Sequence, residues 1–245
     1  MQFPDNVSRL CSGKRFSFAC HSSLSCYTEC CRELELVLAP YDVLRLRQVL
    51  QLTSTAFIDR YVVLEEDDRG GFPRLYLGMV DDGRASCPFI SQEGCRVYEN
   101  RPGACRAYPV GRGVTLAEDG TVREMHVLVH EEHCRGFAAE TSHTVAGWSE
   151  NQGMAEYNRL NDELLGLLYH EEIHRGARTL TAEERDLFLL ALYRLDEFGS
   201  MVASPAFYEK HLPDREEREA ILADDLLLLR FGIRWLTKHL FAAKT

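Results

Sequence analysis

The sequence predicts an α+β protein in two parts: a cysteine-rich first half of short strands and helices, followed by a helical second half. Three observations predict it. Eight of the nine cysteines fall between residues 20 and 134. Alternating apolar segments with Asp-Gly turns occupy residues 72 to about 132, the mark of short hairpins. After residue 150 the apolar positions recur at helical spacing behind capping signals. The expected division is 1–140 for the cysteine-cluster region and 141–245 for a helical region packed on it.

Taken in order, "LELVL" (34–38) alternates like a short strand. Pro40 suits a first helical turn, and Val43, Leu46, Val49 and Leu50 give that helix its stripe. "TSTAFIDRYVV" predicts a second helix with Phe57, Ile58, Tyr61 and Val62 on one side, and "EEDDRGG" a glycine-ended break. "RLYLGMV" leads to a turn at Asp82-Gly83, and "GVTLAEDGTVREMHVLV" reads as a hairpin around Asp119-Gly120. Tyr157, Leu160, Leu164, Leu167 and Leu168 form a stripe ending near Gly176. Thr181 and Glu184 stand at capping-box spacing before a helix expected to end at Gly199, and Asp214 and Glu217 repeat that arrangement.

Composition narrows the function classes. The hydrophobic fraction is 45% and the charged fraction 27%, ordinary for a globular chain. The net charge of −10 gives no general attraction for nucleic acid or anionic lipid, so no nucleic-acid partner is expected. The first residues lack the apolar core of a secretory signal. No apolar run approaches ~20 residues, so no membrane span is expected. The expectation is a cytoplasmic protein.

In a reducing compartment, clustered cysteines point to metal or catalysis before disulfides. Cys30 and Cys31 are neighbours, and a bridge between them would close a strained ring. The candidate ligands are Cys20, Cys26, Cys30, Cys31, Cys87, Cys95, Cys105 and Cys134, with Cys11 standing apart. Four thiolates would close a structural zinc site, but the chain has no C-x2-C knuckle. A thioredoxin-like or radical S-adenosylmethionine motif is also missing. An iron–sulfur cluster accepts wider, irregular spacing because its corners lie several ångströms apart. Were residues 26–33 helical, Cys26 and Cys30 would share a face and Cys31 would point about 100° away. That geometry suggests two centres, or one centre with a supporting thiol.

The segments "FACHSSLSCYTECC", "CPFISQEGCRVYENRPGACRAYP" and "HCRG" together resemble the YkgJ-type cysteine-cluster proteins, a zinc- or iron-chelating family. The resemblance covers roughly residues 16 to 160 and is most specific from Cys87 to Pro109. The family pattern is C-x2-C-x2-C-C, whereas this chain has C-x5-C-x3-C-C. The resemblance therefore speaks more directly for Cys30, Cys31, Cys87, Cys95 and Cys105 than for Cys20 and Cys26. Flagellin lysine methylases carry a similar cluster, which adds methyl transfer to what the resemblance implies.

Arg101 and Arg106 flank Cys105 and are candidates to offset thiolate charge or hold an anionic part of a cofactor; the alternative is a turn-stabilising ion pair. Tyr98 and Tyr108 are expected to pack beside the cysteines. His21 and His133 adjoin cluster cysteines and are expected as hydrogen-bonding neighbours of the ligands. His170-Glu171-Glu172-Ile173-His174 matches the zincin string H-E-x-x-H, but no third ligand follows it and a packed helix end explains it. "VGRGV" (110–114) lacks the glycines of a nucleotide loop.

The leading expectation is a cysteine-ligated metalloprotein carrying an iron–sulfur cluster, in redox, electron-transfer or metal-handling work with a protein or redox partner. The alternatives are a non-enzymatic zinc domain whose helical half binds a partner, and a cluster-dependent modifying enzyme.

Overall fold

A computed structural model describes residues 3–11, 13–117, 121–212 and 214–241. The expected Asp119-Gly120 turn lies outside the described residues. The chain is α+β, about 47% helix and 17% strand, with small sheets and a helical C-terminal half. It divides into two compact units, each built from two stretches of sequence. The first comprises Met1–Leu36 and Leu77–Asp162, and the second Val37–Tyr76 and Glu163–Thr245. Every cysteine belongs to the first unit.

In the first unit, Val122–Val129 pairs antiparallel with both Val7–Leu10 and Val110–Leu116. The hairpin register runs from Val110↔Leu128 to Leu116↔Val122, so the period-2 pattern in the sequence is a real ladder. Gly111 and Gly113 are strand residues within it, and no phosphate-binding turn forms there. A second pairing joins Arg15–Ser17 to Ser142–Thr144. Leu10, Phe16, Phe18, Val110 and Trp148 form a buried cluster beside these strands, and Cys134 and Tyr108 pack against it. The Trp148 indole meets Phe18 edge-on at 5.6 Å and donates from Nε1 to the Ala107 carbonyl at 2.8 Å.

In the second unit, Pro40–Leu50 and Ser54–Tyr61 are the two expected helices, with Thr53 capping the second through the Ala56 amide. In the first of them Tyr41, Val43, Leu44 and Leu46 are buried, whereas Val49 is 42% exposed. The "LELVL" segment makes an isolated bridge, Val37 to Tyr76, with two backbone bonds beside it, from the Leu38 amide to the Leu75 carbonyl at 2.8 Å and from the Leu77 amide to the Leu36 carbonyl at 2.9 Å.

The Thr181–Glu184 capping box forms as expected, each side chain accepting from the other's amide at 3.2 and 3.0 Å. Its helix stops at Leu192, however, and a new one, Leu195–Val202, carries Gly199 in its interior. The expected stop at Gly199 is thus corrected. Tyr193 and Arg194 leave helical geometry, and both their amides fall to the Leu189 carbonyl. A Cβ at Gly199 would stand 3.3 Å from Leu228, so this glycine permits close packing and ends nothing. The segment from Asp214 likewise divides into Arg215–Ala223 and Asp225–Phe241, with the Asp224 carboxylate accepting from the Leu226 amide at 2.7 Å. Buried Arg47 binds these helices together, donating to Asp196 at 3.0 Å and to Asp225 at 2.6 Å. Among the described residues, no helix is long and apolar enough to cross a membrane.

Candidate metal centre

All nine cysteines lie among the described residues, and none is joined in a disulfide. Residues 26–33 are not one α-helix. They form a series of tight turns, with the Glu29 amide donating to Cys26 and the Cys31 amide to Thr28, ending in the 3-10 turn Glu29–Cys31. The cause is Thr28, whose φ of 69° breaks any continuous helix. In a turn of three residues per revolution, adjacent side chains diverge by about 120°. Glu33 and Ala85, at φ 52° and 44°, are also left-handed, and the Glu33 amide donates to the Ala85 carbonyl at 2.9 Å. Strained backbone of this sort persists only where its surroundings over-determine it. Here it brackets the Cys30–Cys31 pair and the approach to Cys87.

Two backbone arrangements bring the other cysteines toward that pair. The Ala19 amide donates to the Gly136 carbonyl at 3.0 Å, which sets Cys20 beside the turn bearing Cys134. A Cβ at Gly136 would stand 2.6 Å from the Phe18 ring, so only glycine allows this approach. The Arg135 amide donates to the Cys26 sulfur at 3.2 Å, tying Cys26 to the same turn. On the other side, the Cys87 amide donates to the Cys31 carbonyl at 2.8 Å. Cys87 then opens the small hairpin in which Ile90 pairs with Cys95. Gly94, at φ 117°, lies against the Tyr27 hydroxyl, where a side chain would collide. Cys105 sits in the short helix Gly103–Ala107, held by Trp148 through the Ala107 carbonyl.

The thiols act on one another. Cys20 keeps surface open to solvent, yet the surrounding protein desolvates its sulfur, and with Cys30, Cys26 and Cys134 nearby its pKa rises to about 11. Burial likewise raises Cys87 and Cys95. Burial comes first in raising Cys20, Cys87 and Cys95 and neighbouring thiols add to it, and sulfur donors of this kind are chemically suited to zinc or iron. Among the described residues, no three Cys, His, Asp or Glu side chains are gathered as closely as a single ion requires.

Arg101 and Arg106 play different parts. Arg101 is 9% exposed, stacks on Tyr98 at 3.8 Å, and donates to the Tyr98 carbonyl and to Gln152, each at 2.6 Å. Its charge lowers the pKa of both Cys20 and Cys95. Arg106 donates to the carbonyls of Gln152 and Glu99 and lies over Tyr157, bracing backbone. Tyr108 does stand beside the cluster: burial first, with Cys134 close by, pushes its phenol above the ordinary range. Gln152, Trp148 and Tyr27 escaped the sequence reading, because each acts through a partner distant in the chain and no local pattern marks it.

The histidines keep to other tasks. His21 Nδ1 pairs with the Ser23 hydroxyl at 2.7 Å, and His130 stacks on Phe137 at 4.2 Å. In the zincin-like string, His170 lies just outside the four-residue helix Glu171–His174 and stacks on Phe241 at 3.6 Å. His174 turns to Tyr169 at 5.3 Å instead.

A family model, CxxCxxCC, described as "Putative zinc- or iron-chelating domain", matches residues 19–140. No curated protein and no solved structure matches the chain. The matched stretch contains all eight clustered cysteines. Through it, the chain belongs to the CxxCxxCC family of cysteine-rich, metal-chelating domains.

Proposed function

We propose that the chain is a cysteine-ligated metalloprotein whose resident group is an iron–sulfur cluster, serving redox, electron-transfer or metal-handling work. The observation that carries this reading is a donor set made of sulfur, drawn from well-separated loops toward Cys30 and Cys31. Thiolates are the ligands of such clusters, whose irons sit at separate corners and so accept thiols from several loops. When bound, the cluster would supply storage for an electron. Cys20, Cys26, Cys30, Cys31, Cys87, Cys95, Cys105 and Cys134 are the proposed ligands. On loading, their thiol protons leave to solvent, and the Arg101 guanidinium offsets part of the negative charge that remains.

Zinc is the second reading, favoured by the family description, which names zinc beside iron. Anaerobic purification followed by iron, zinc and acid-labile sulfide analysis tests both. Brown protein with iron and sulfide in similar amounts is expected. Colourless protein with stoichiometric zinc would replace the first reading by the second, and protein holding neither metal would remove both.

A further inference from the structure

We infer that the outer edge of Val62–Glu65 is a docking site for an extended, basic segment of a partner protein. The segment adds a strand there and seats an apolar side chain in the adjoining cleft. This surface lies in the second unit, which holds no cysteine, and is independent of the metal reading above.

Val62–Glu65 pairs with Arg74–Leu77 in a two-stranded sheet. The far side of that partner strand is taken, since the Leu38 amide donates to the Leu75 carbonyl at 2.8 Å. Among the described residues, no strand pairs with the other side of Val62–Glu65. Folded chains ordinarily blunt such an edge with lysine, proline or a bulge. This one instead runs through three apolar residues, with Val63 57% and Leu64 46% exposed. The pleat sends alternate side chains to opposite faces, and Val62 and Leu64 both line one cleft. Ile58, Leu75 and Leu189 complete its apolar floor, and its volume is about 250 Å³. That is small for a cofactor or metabolite, whose pockets run to about 300–1,000 Å³, and suits a side chain carried on a strand.

The rim sets the charge of the occupant. Asp59, Asp186 and Glu197 stand around the floor together with Arg194. That arginine is already held, donating to the Asp186 carboxylate at 3.1 Å and lying 3.6 Å from Glu197. Asp59 is exposed and meets no cation among the described residues. Nearby arginines are committed elsewhere: Arg60 lies over the Tyr61 ring at 5.2 Å, Arg74 reaches Glu65 at 2.7 Å and Arg185 reaches Glu66 at 3.1 Å. The rim is therefore left with a surplus of negative charge. A lysine or arginine on the incoming segment is drawn to that surplus, and a carboxylate is repelled by it. Main-chain bonds to the edge supply affinity, the cleft selects an apolar side chain, and the rim selects the sign of its neighbours.

The test uses the intact chain and a fluorescein-labelled peptide of alternating valine and lysine, read by fluorescence anisotropy. This peptide should bind, and a counterpart with glutamate in place of lysine should bind at least about tenfold more weakly. Methylating the backbone amides of the lysine peptide removes its main-chain donors and should weaken it by about tenfold as well. Those comparisons are made on the unaltered chain, so they do not depend on a variant folding. Asp59→Lys should weaken the lysine peptide, and so should Leu64→Glu, even though the latter adds negative charge. Failure of the lysine peptide to bind at millimolar concentration would overturn the inference. Equal binding of the glutamate or the methylated peptide, or tighter binding to Leu64→Glu, would overturn it too, since the edge and cleft would not be what is recognised. Sedimentation of the chain alone covers the competing occupant: a dimer that Leu64→Glu dissolves would assign the edge to a second copy instead.

Discussion

The Cys87 amide donates to the Cys31 carbonyl at 2.8 Å, sewing together two cysteine segments that lie far apart in sequence. A bond between main-chain groups fixes where both residues sit before any ligand is considered, since buried or half-buried amides must find partners. The same strategy recurs at Cys26, whose sulfur accepts from the Arg135 amide. Thiol positions in this unit are set by the loops that carry them.

The loop leading to Cys87 depends on Asp82. Its carboxylate accepts from the Arg84 amide at 3.0 Å and the Ser86 amide at 3.3 Å, while the Ser86 hydroxyl accepts from Arg32. The Ser86 hydrogen bond, then the Arg84 amide, hold the Asp82 pKa below its ordinary 3.8. A carboxyl depressed by folding contributes stability above its unfolded pKa and loses it as pH falls through the folded value. Asp82→Ala should therefore lower the hydrogen-exchange protection of the Arg84 and Ser86 amides, measured against the free-peptide rate at the same pH, and acid below about pH 4 should do the same in the parent. Unchanged exchange in the variant would show that the carboxylate does not hold this loop.

Trp148 should matter to the Cys105 helix by two separable effects. Its ring packs edge-on against Phe16 and Phe18, and its Nε1 satisfies the Ala107 carbonyl. Trp148→Phe keeps a ring and leaves that carbonyl without its donor, at an expected cost of about 1–3 kcal/mol. Trp148→Ala also opens a cavity and should cost about 3–5 kcal/mol. Urea unfolding separates the two. Equal midpoints for the parent and the Phe variant would mean that water serves the carbonyl equally well.

Glu171→Gln should leave metal content unchanged and stability within about 0.5 kcal/mol, because an exposed ion pair contributes little. Glu171 is 70% exposed and reaches Arg175 at 3.5 Å, and the two histidines of the string stack on different rings. Peptidase activity in the parent that disappears in this variant would make the string a catalytic site.

What could be read from sequence was whatever local chemistry decides. The Thr181–Glu184 box closes within one helical turn, and the Val110–Val129 hairpin declares itself by alternation. The break at Tyr193 and Arg194 was hidden because Gly199 offers a stronger local stop signal, which packing against Leu228 overrides. The turns at Cys30 and Cys31 were hidden for a related reason, since nothing in "YTECC" announces a left-handed threonine. Longer-range relations leave still less trace. Arg47 bridging Asp196 and Asp225, or the Ala19 amide meeting Gly136, depends on how the chain returns on itself, as does the membership of residues 37–76 in the second unit.

That interleaving sharpens the last expectation, which concerns removal of metal. All cysteines lie in Met1–Leu36 and Leu77–Asp162, whereas Val37–Tyr76 and Glu163–Thr245 contain none. The second unit has its own buried residues, including Leu46, Phe57, Leu192, Phe198 and Leu236, each fully shielded, so it draws its stability from apolar burial. Metal binding, by contrast, is coupled to the folding of the segments that supply ligands. Chelation under reducing conditions should therefore leave most helical circular dichroism in place. New protease cuts should fall in two windows, residues 11–36 and 77–135, while the stretch 37–76 between them stays protected. Peptide mapping of a brief digest reads this directly. Cutting spread evenly through 37–76 would show that the metal stabilises both units, and a digest unchanged by chelation would show that the thiols do not hold the first unit through metal at all.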